Sequence, residues 1–254
     1  MNSADNLFLT CFRDLAAPPL IISAVAGAEA WRAWVRAGGQ HAACDAVELR
    51  LDTLPADIPL SAVAALRPDK PVLLTQRHES EGGAMPGLSP AERCARVRAL
   101  LPLAAAVDWE IARLEDEGVP ALCAELRERG VALIASAHDF ERTPAPAELQ
   151  GAAARARRLG ADCAKFAFTL RAPEDVFAGV ELLRSQGAAA TAVMGMGALG
   201  VVSRLLYSQL GSRLLYCSFA GAGALVPGQL PDALAAPLLA QLPRCGLAGS
   251  NSLC

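Results

Sequence analysis

Short apolar runs alternate with helix-length segments along nearly the whole chain. This alternation constrains the fold more than any other feature. The apolar runs are "PLIISAV", "AVELRLD", "PVLLTQR", "AAVDWEI", "VALIASAH", "DCAKFAF", "AAATAVMG" and "LLYCSF". Between them lie stretches rich in Ala, Leu, Arg and Glu, such as "PAERCARVRALL" and "PEDVFAGVELLRSQG". Several of these end on glycine (Gly130, Gly160, Gly187, Gly211), as left-handed helix ends favour. Strands that alternate with helices imply a parallel sheet. Eight repeats of about thirty residues predict an α/β fold, a closed (β/α)8 TIM barrel. An open doubly wound sheet is the alternative. No linker or composition shift divides the chain, so residues 1–254 read as a single domain with a loosely ordered tail from about residue 245.

The bulk numbers exclude several function classes. A net charge of −3 argues against nucleic acid. No uncharged apolar stretch reaches the ~20 residues of a membrane helix, and the first ten residues carry Asp5 and lack the basic n-region and small-residue cleavage site of a signal peptide. None of the eight cysteines forms a C-x-x-C pair, and most sit in apolar surroundings. They read as small buried hydrophobes in a reducing cytoplasm, not as disulfides or zinc ligands.

Against this background one residue stands out. The chain carries 23 basic residues, but only Lys70 and Lys165 are lysines. Lys165 sits inside the apolar run "GADCAKFAFTL". Arginine can supply positive charge almost anywhere, but it cannot lose its proton near neutral pH and attack a carbonyl. Burial in an apolar barrel disfavours the ammonium form, and the free amine can then form an imine with a ketone or aldehyde.

Active sites of such barrels lie at the C-terminal strand ends, and polar residues collect there. Glu48, Arg50 and Asp52 alternate with apolar neighbours, so period two puts all three on one face of the second strand. Arg77 ends the third strand and Glu81 follows in its loop. Asp108 and Glu110 share a face of the fourth strand. His138 ends the fifth strand, beside the strand of Lys165, and titrates in the range a general base needs. A carboxylate such as Glu81 would orient its imidazole. Gly195, Gly197 and Gly200 spell G-x-G-x-x-G, but no acidic residue follows at the distance the dinucleotide fingerprint requires. They read instead as a turn or as a close backbone approach. Arg204 follows as a candidate anion fork. Together these residues predict an imine-forming lyase acting on a polar, anionic keto-compound. They do not separate a dehydratase from an aldolase.

In order, "AVELRLD", "TQRHESEGG", "IASAHDF", "GADCAKFA", "MGMGALGVVSR" and "PGQ" resemble the motifs of type I 3-dehydroquinate dehydratases, from about Ser23 to Gln229. The resemblance implies a (β/α)8 barrel, a cytoplasmic homodimer, and an anionic cyclic keto-hydroxy acid as the small-molecule partner. It implies syn elimination of water from 3-dehydroquinate to give 3-dehydroshikimate, with no metal or cofactor. The same chemistry serves aromatic biosynthesis and quinate breakdown. By resemblance, Lys165 forms the imine, His138 is the general acid and base, and Glu81 is its carboxylate partner. Glu48, Arg50 and Arg77 hold ring hydroxyls, Arg204 and Gln229 clamp the carboxylate, Met194 packs on the ring, and Ser23 is a further substrate contact.

Three positions depart from the family pattern. Leu225 replaces a serine of the closing loop, Ala137 replaces a polar or aromatic residue before His138, and Trp109 replaces an aliphatic residue in the fourth strand. Two other functions fit the same residues. One is an imine-forming aldolase for a sugar phosphate, with a glycine-rich cradle in "FAGAGALVPGQ". The other is a non-catalytic relative that binds a cyclic hydroxy-acid.

Overall fold

The computed structural model describes residues 6–219 and 228–242. Eight strands run parallel, each followed by a helix. They are β1 (Leu20–Val25), β2 (Ala46–Arg50), β3 (Val72–Thr75), β4 (Ala104–Glu110), β5 (Ala132–Asp139), β6 (Cys163–Thr169), β7 (Thr191–Met196) and β8 (Leu214–Ser218). The helices that follow them in turn are α2 (Gly27–Arg36), α3 (Leu60–Ala64), α4 (Pro90–Leu100), α5 (Val119–Glu128), α6 (Pro146–Arg158), α7 (Val176–Ser185), α8 (Gly200–Gln209) and α9 (Asp232–Gln241). A ninth strand, β9 (Leu230–Pro231), precedes α9 and pairs with β8. The hydrogen-bonded order is β7-β6-β5-β4-β3-β2-β1-β8-β9. At the seam, Arg213 N–H donates to the Thr191 carbonyl, and Val193 N–H donates to the Ser212 hydroxyl. The molecule is a single-domain TIM barrel.

Period two sorts the strand residues into two layers. Val47 and Leu49, Val72 and Leu74, Leu133 and Ala135, and Phe166 and Phe168 face outward and pack under the helices. Leu20, Ile22, Ala46, Leu73, Ala106, Ile134, Cys163, Ala192 and Leu214 face inward and fill the lower barrel. A helix that the strand–helix alternation does not reveal, α1 (Leu7–Arg13), closes the bottom of this inner layer with Phe8 and Phe12. Burying such side chains stabilises by about 1.5–3 kcal/mol each. Asn6 caps α1 and ties it to the barrel, donating to the Ala105 and Gly130 carbonyls. The lower barrel is therefore apolar, and the polar residues of the inner layer lie toward the upper end.

Candidate active site

The C-terminal strand ends surround a cavity of about 160 Å³, a volume suited to one small ring compound. Glu48, Arg50, Arg77, Glu81, His138, Lys165, Met194, Arg204 and Gln229 all line it. These nine residues come from eight segments of the chain, with Glu48 and Arg50 both on β2 and Arg204 on α8, and converge at the upper end of the barrel. Ser23 does not join them. It shares the outward parity of Ile21 and Val25, and its hydroxyl donates to Asp232 at 2.5 Å on the far side of the sheet. The expectation that Ser23 contacts substrate is corrected accordingly.

Lys165 forms the floor. Its side chain is only 5% exposed, so the amine does not face bulk water. Its surroundings are not purely apolar, however. Nζ donates to Asp108 Oδ2 at 2.8 Å and lies 4.1 Å from the centre of the Tyr216 ring. Asp108 Oδ1 accepts from Arg77 Nη2 at 2.8 Å and from the Ser136 hydroxyl at 2.6 Å. Burial alone would raise the Asp108 carboxyl, but Arg77 and Lys165 overcome that and hold it far below the usual carboxylate range. Arg77 also reaches Glu110 Oε1 at 3.1 Å and Ser136 at 2.7 Å. It lines the cavity, yet most of its donors hold the floor together.

His138 and Glu81 form the rim. The Glu81 Oε2 atom lies 2.8 Å from His138 Nδ1 and accepts from the His138 backbone N–H at 3.0 Å. One carboxylate thus fixes both backbone and ring, which leaves Nε2 as the nitrogen available to a ligand. Burial, then the positive charges of Arg77 and Lys165, lower the His138 pKa well below its ordinary 6.5. Burial also pushes the Glu81 carboxyl up to about 7. Burial thus disfavours charge on both partners, and the lowered His138 pKa keeps the imidazole unprotonated at neutral pH.

The remaining polar lining residues are held in place by their neighbours. Glu48 accepts from the Thr75 hydroxyl at 2.7 Å. Arg50 is held by Asp52 through two bonds, of 2.9 and 2.8 Å. Asp52 itself does not continue the polar face, because β2 ends at Arg50 and Leu51–Thr53 turn into a 3-10 helix. From there Asp52 also accepts from the backbone N–H of Ala84, tying the Glu81 loop down. Arg204 is buried, and its guanidinium donates to the Gly195 and Tyr216 carbonyls at 3.2 and 3.3 Å. Burial brings its pKa down to about 10. No carboxylate among the described residues forms a salt bridge with it. A buried cation without an acid is a site for an incoming anion.

The glycines at the end of β7 have local duties. A Cβ at Gly195 would lie 2.2 Å from Ser203 Oγ, so this glycine lets α8 pack against the strand. Gly197, at φ +86°, makes the turn into α8. Neither builds a dinucleotide cradle. Among the described residues no group of acidic, His and Cys side chains could hold a metal ion, and no helix is long and apolar enough to cross a membrane. Leu225 and most of "FAGAGALVPGQ" lie outside the described residues.

The profile of the type I 3-dehydroquinase family matches residues 32–241. The chain belongs to the type I 3-dehydroquinases. Among its relatives, the 3-dehydroquinate dehydratase of Haloarcula marismortui is 35% identical over 208 residues, covering 78% of this chain and 87% of that protein. The 3-dehydroquinate dehydratase of Methanococcoides burtonii is 30% identical over 222 residues, covering 85% and 91%. The solved structure of the 3-dehydroquinate dehydratase from Geobacillus kaustophilus superposes with a TM-score of 0.75 at 27% identity, covering 87% of this chain and 90% of that one.

Three further residues of this type I 3-dehydroquinase shape the pocket without having been singled out from the sequence as site residues. Asp108 is the ion partner of Lys165, and its signal was the buried D-x-E alternation on β4. Tyr216 lines the wall with its ring toward Nζ, signalled by the inward period of Leu214, Tyr216 and Ser218. Phe140 overlaps the His138 ring with centroids 6.4 Å apart and planes at 17°. The other two departures from the family pattern fall behind the wall. Trp109 faces outward, where Arg93 stacks on it at 4.3 Å and then reaches Glu110 Oε2 at 2.5 Å. Ala137 also faces outward, against the helix layer.

Proposed function

We propose that this pocket converts 3-dehydroquinate to 3-dehydroshikimate through an imine on Lys165. The observation that carries the reading is the buried amine at the floor with a neutral, carboxylate-oriented imidazole at the rim of the same cavity. Lys165 gives one ammonium proton to His138 and its free amine attacks the ketone; His138 returns that proton to the carbinolamine hydroxyl, which leaves as water to give a cationic iminium. That cation acidifies the neighbouring C–H. His138 Nε2 removes the proton, and the electron pair left behind forms the enamine. The enamine then expels the hydroxyl on the next carbon, and His138 returns the proton to it, so that water leaves. Hydrolysis of the product imine releases the enone and restores the amine.

In this reading Glu48 and Arg50 hold ring hydroxyls, with Arg77 contributing mainly by fixing Asp108. Arg204 and Gln229 clamp the substrate carboxylate, and Met194 packs against the ring. Glu81 holds the His138 tautomer and steadies the imidazolium formed after proton removal. Asp108 fixes the lysine nitrogen and offsets the positive charge of the iminium. No step calls on a metal or cofactor. The enzyme acts in the cytoplasm as a homodimer. The exposed apolar side chains of Phe177 on α7 and of Val202 and Leu206 on α8 support a second copy as occupant of that face. Following the ultraviolet absorbance of the conjugated product tests the reaction. Turnover should be present in the wild type and absent in Lys165→Met, and turnover that survives this substitution would overturn the imine route.

A further inference from the structure

Ser23, His41 and Asp232 meet behind the pocket wall, on the outer face of the sheet. Asp232 Oδ2 accepts from the Ser23 hydroxyl at 2.5 Å and lies 2.6 Å from His41 Nε2. Ser23 and Asp232 are fully buried, and the His41 side chain is 10% exposed. Three segments distant in sequence thus converge on one carboxylate: β1, the turn after α2, and the first residue of α9. The His41 ring also lies on Phe219, with centroids 4.4 Å apart and planes at 30°. Phe219 directly follows β8, and Asp232 lies just beyond Gln229 and β9. One histidine therefore grips the chain on both sides of pocket-lining Gln229.

The same stretch is also held by the Ser218 hydroxyl, which donates to the Leu230 carbonyl at 3.4 Å, and by burial of Leu230 in the core. β9 is two residues long, Leu230 and Pro231, against Cys217 and Ser218. Proline has no N–H to add to the ladder. Burial alone would raise the Asp232 carboxyl, but the hydrogen bonds from His41 and Ser23 hold it below the ordinary carboxylate range. The hub is thus an ionised acceptor at neutral pH, and hydrogen bonds to an ionised acceptor are the strong ones.

We propose that Ser23, His41 and Asp232 form a positioning clamp that sets the placement of Gln229, and with it the affinity for the substrate carboxylate, without touching the substrate. The inference rests on the reading of Gln229 as a carboxylate ligand. It also gives Ser23 a role in substrate binding that acts through the backbone rather than by contact. Displacing a binding group by about 1 Å through a remote change can weaken its action up to ~100-fold, and a partial loosening of the clamp is expected to cost about tenfold.

The test is a double-mutant cycle in steady-state kinetics with 3-dehydroquinate, using His41→Ala, Gln229→Ala and the pair. Each single change should raise KM about tenfold and leave kcat within about twofold. The double variant should be no worse than Gln229→Ala alone, because the clamp acts through that residue. His41→Gln keeps a side-chain N–H donor and should recover most of the affinity. Ser23→Ala keeps His41 and should raise KM in the same direction, which carries the test if His41→Ala fails to fold by thermal melting. Additive effects in the cycle, an unchanged KM, or a loss confined to kcat would overturn the clamp. An unchanged KM in Gln229→Ala, with the wild type turning over, would instead overturn the reading of Gln229.

Discussion

At the floor of the pocket the Asp108 carboxyl is buried and held far below the usual range, whereas at the rim the half-buried Glu81 carboxyl is pushed up to about 7. Both leave water, so desolvation raises both. Charge arrangement decides between them. Asp108 touches the cations Arg77 and Lys165 directly, each at 2.8 Å. Glu81 touches a histidine that burial keeps neutral, and feels the negative charges of Glu110 and Asp108 as well as the Arg77 cation. The floor is therefore a fixed ionic lattice and the rim a pair with a mobile proton. Imine chemistry uses both. The lattice fixes the nitrogen and balances the iminium charge, while the rim takes up and returns a proton.

Removing the mobile half is expected to have the largest effect on rate. His138→Ala should lower kcat by about 10²–10⁴-fold, the range of general acid–base catalysis. The quantity of substrate trapped on Lys165 should change far less. A variant with unchanged turnover would remove histidine from the proton transfers.

Removing the fixed half should act on stability first. Asp108→Ala strips the shared carboxylate from two buried cations, and breaking such a buried pair typically costs about 3–5 kcal/mol. Thermal melting should show a large drop in Tm. An unchanged Tm would mean that the floor is not the ionic lattice described above.

The rim predicts the opposite sign. Glu81 binds its proton up to about pH 7 in the folded state, against an ordinary 4.5. Between those values the folded protein holds a proton that the unfolded chain releases, so the Glu81 contribution destabilises progressively as pH rises. Above about pH 7 the full penalty applies, on the order of 3 kcal/mol. Glu81→Gln should therefore be more stable than the wild type above that pH, and the gap should close below about 4.5. The same variant should turn over more slowly, because an amide cannot steady the imidazolium. A stability gap independent of pH would show that burial does not shift Glu81.

The comparison also explains how much was legible in the sequence. Strand–helix alternation specified the barrel, and period two placed Lys165, His138, Glu48 and Arg50 on the inner face. Period two works where one face is polar. On β1 every residue is apolar or small and both faces are buried, so parity was not readable, and Ser23 was placed at the site by resemblance alone. Asp52 misled differently. The charge alternation continued past Arg50, but the strand did not. The partnership of Lys165 with Asp108 was not legible because it crosses from β6 to β4 over the intervening β5, and sequence spacing carries no information about which buried charges meet. Helix α1 was hidden for another reason, since seven residues are too few to show a periodic pattern.

The most direct test of the central claim is borohydride reduction during exposure to 3-dehydroquinate, followed by intact-mass measurement and peptide mapping. One covalent adduct per chain is expected, located on Lys165 and retained in His138→Ala. Absence of an adduct while the protein still turns over substrate, or an adduct on any other residue, would contradict that claim.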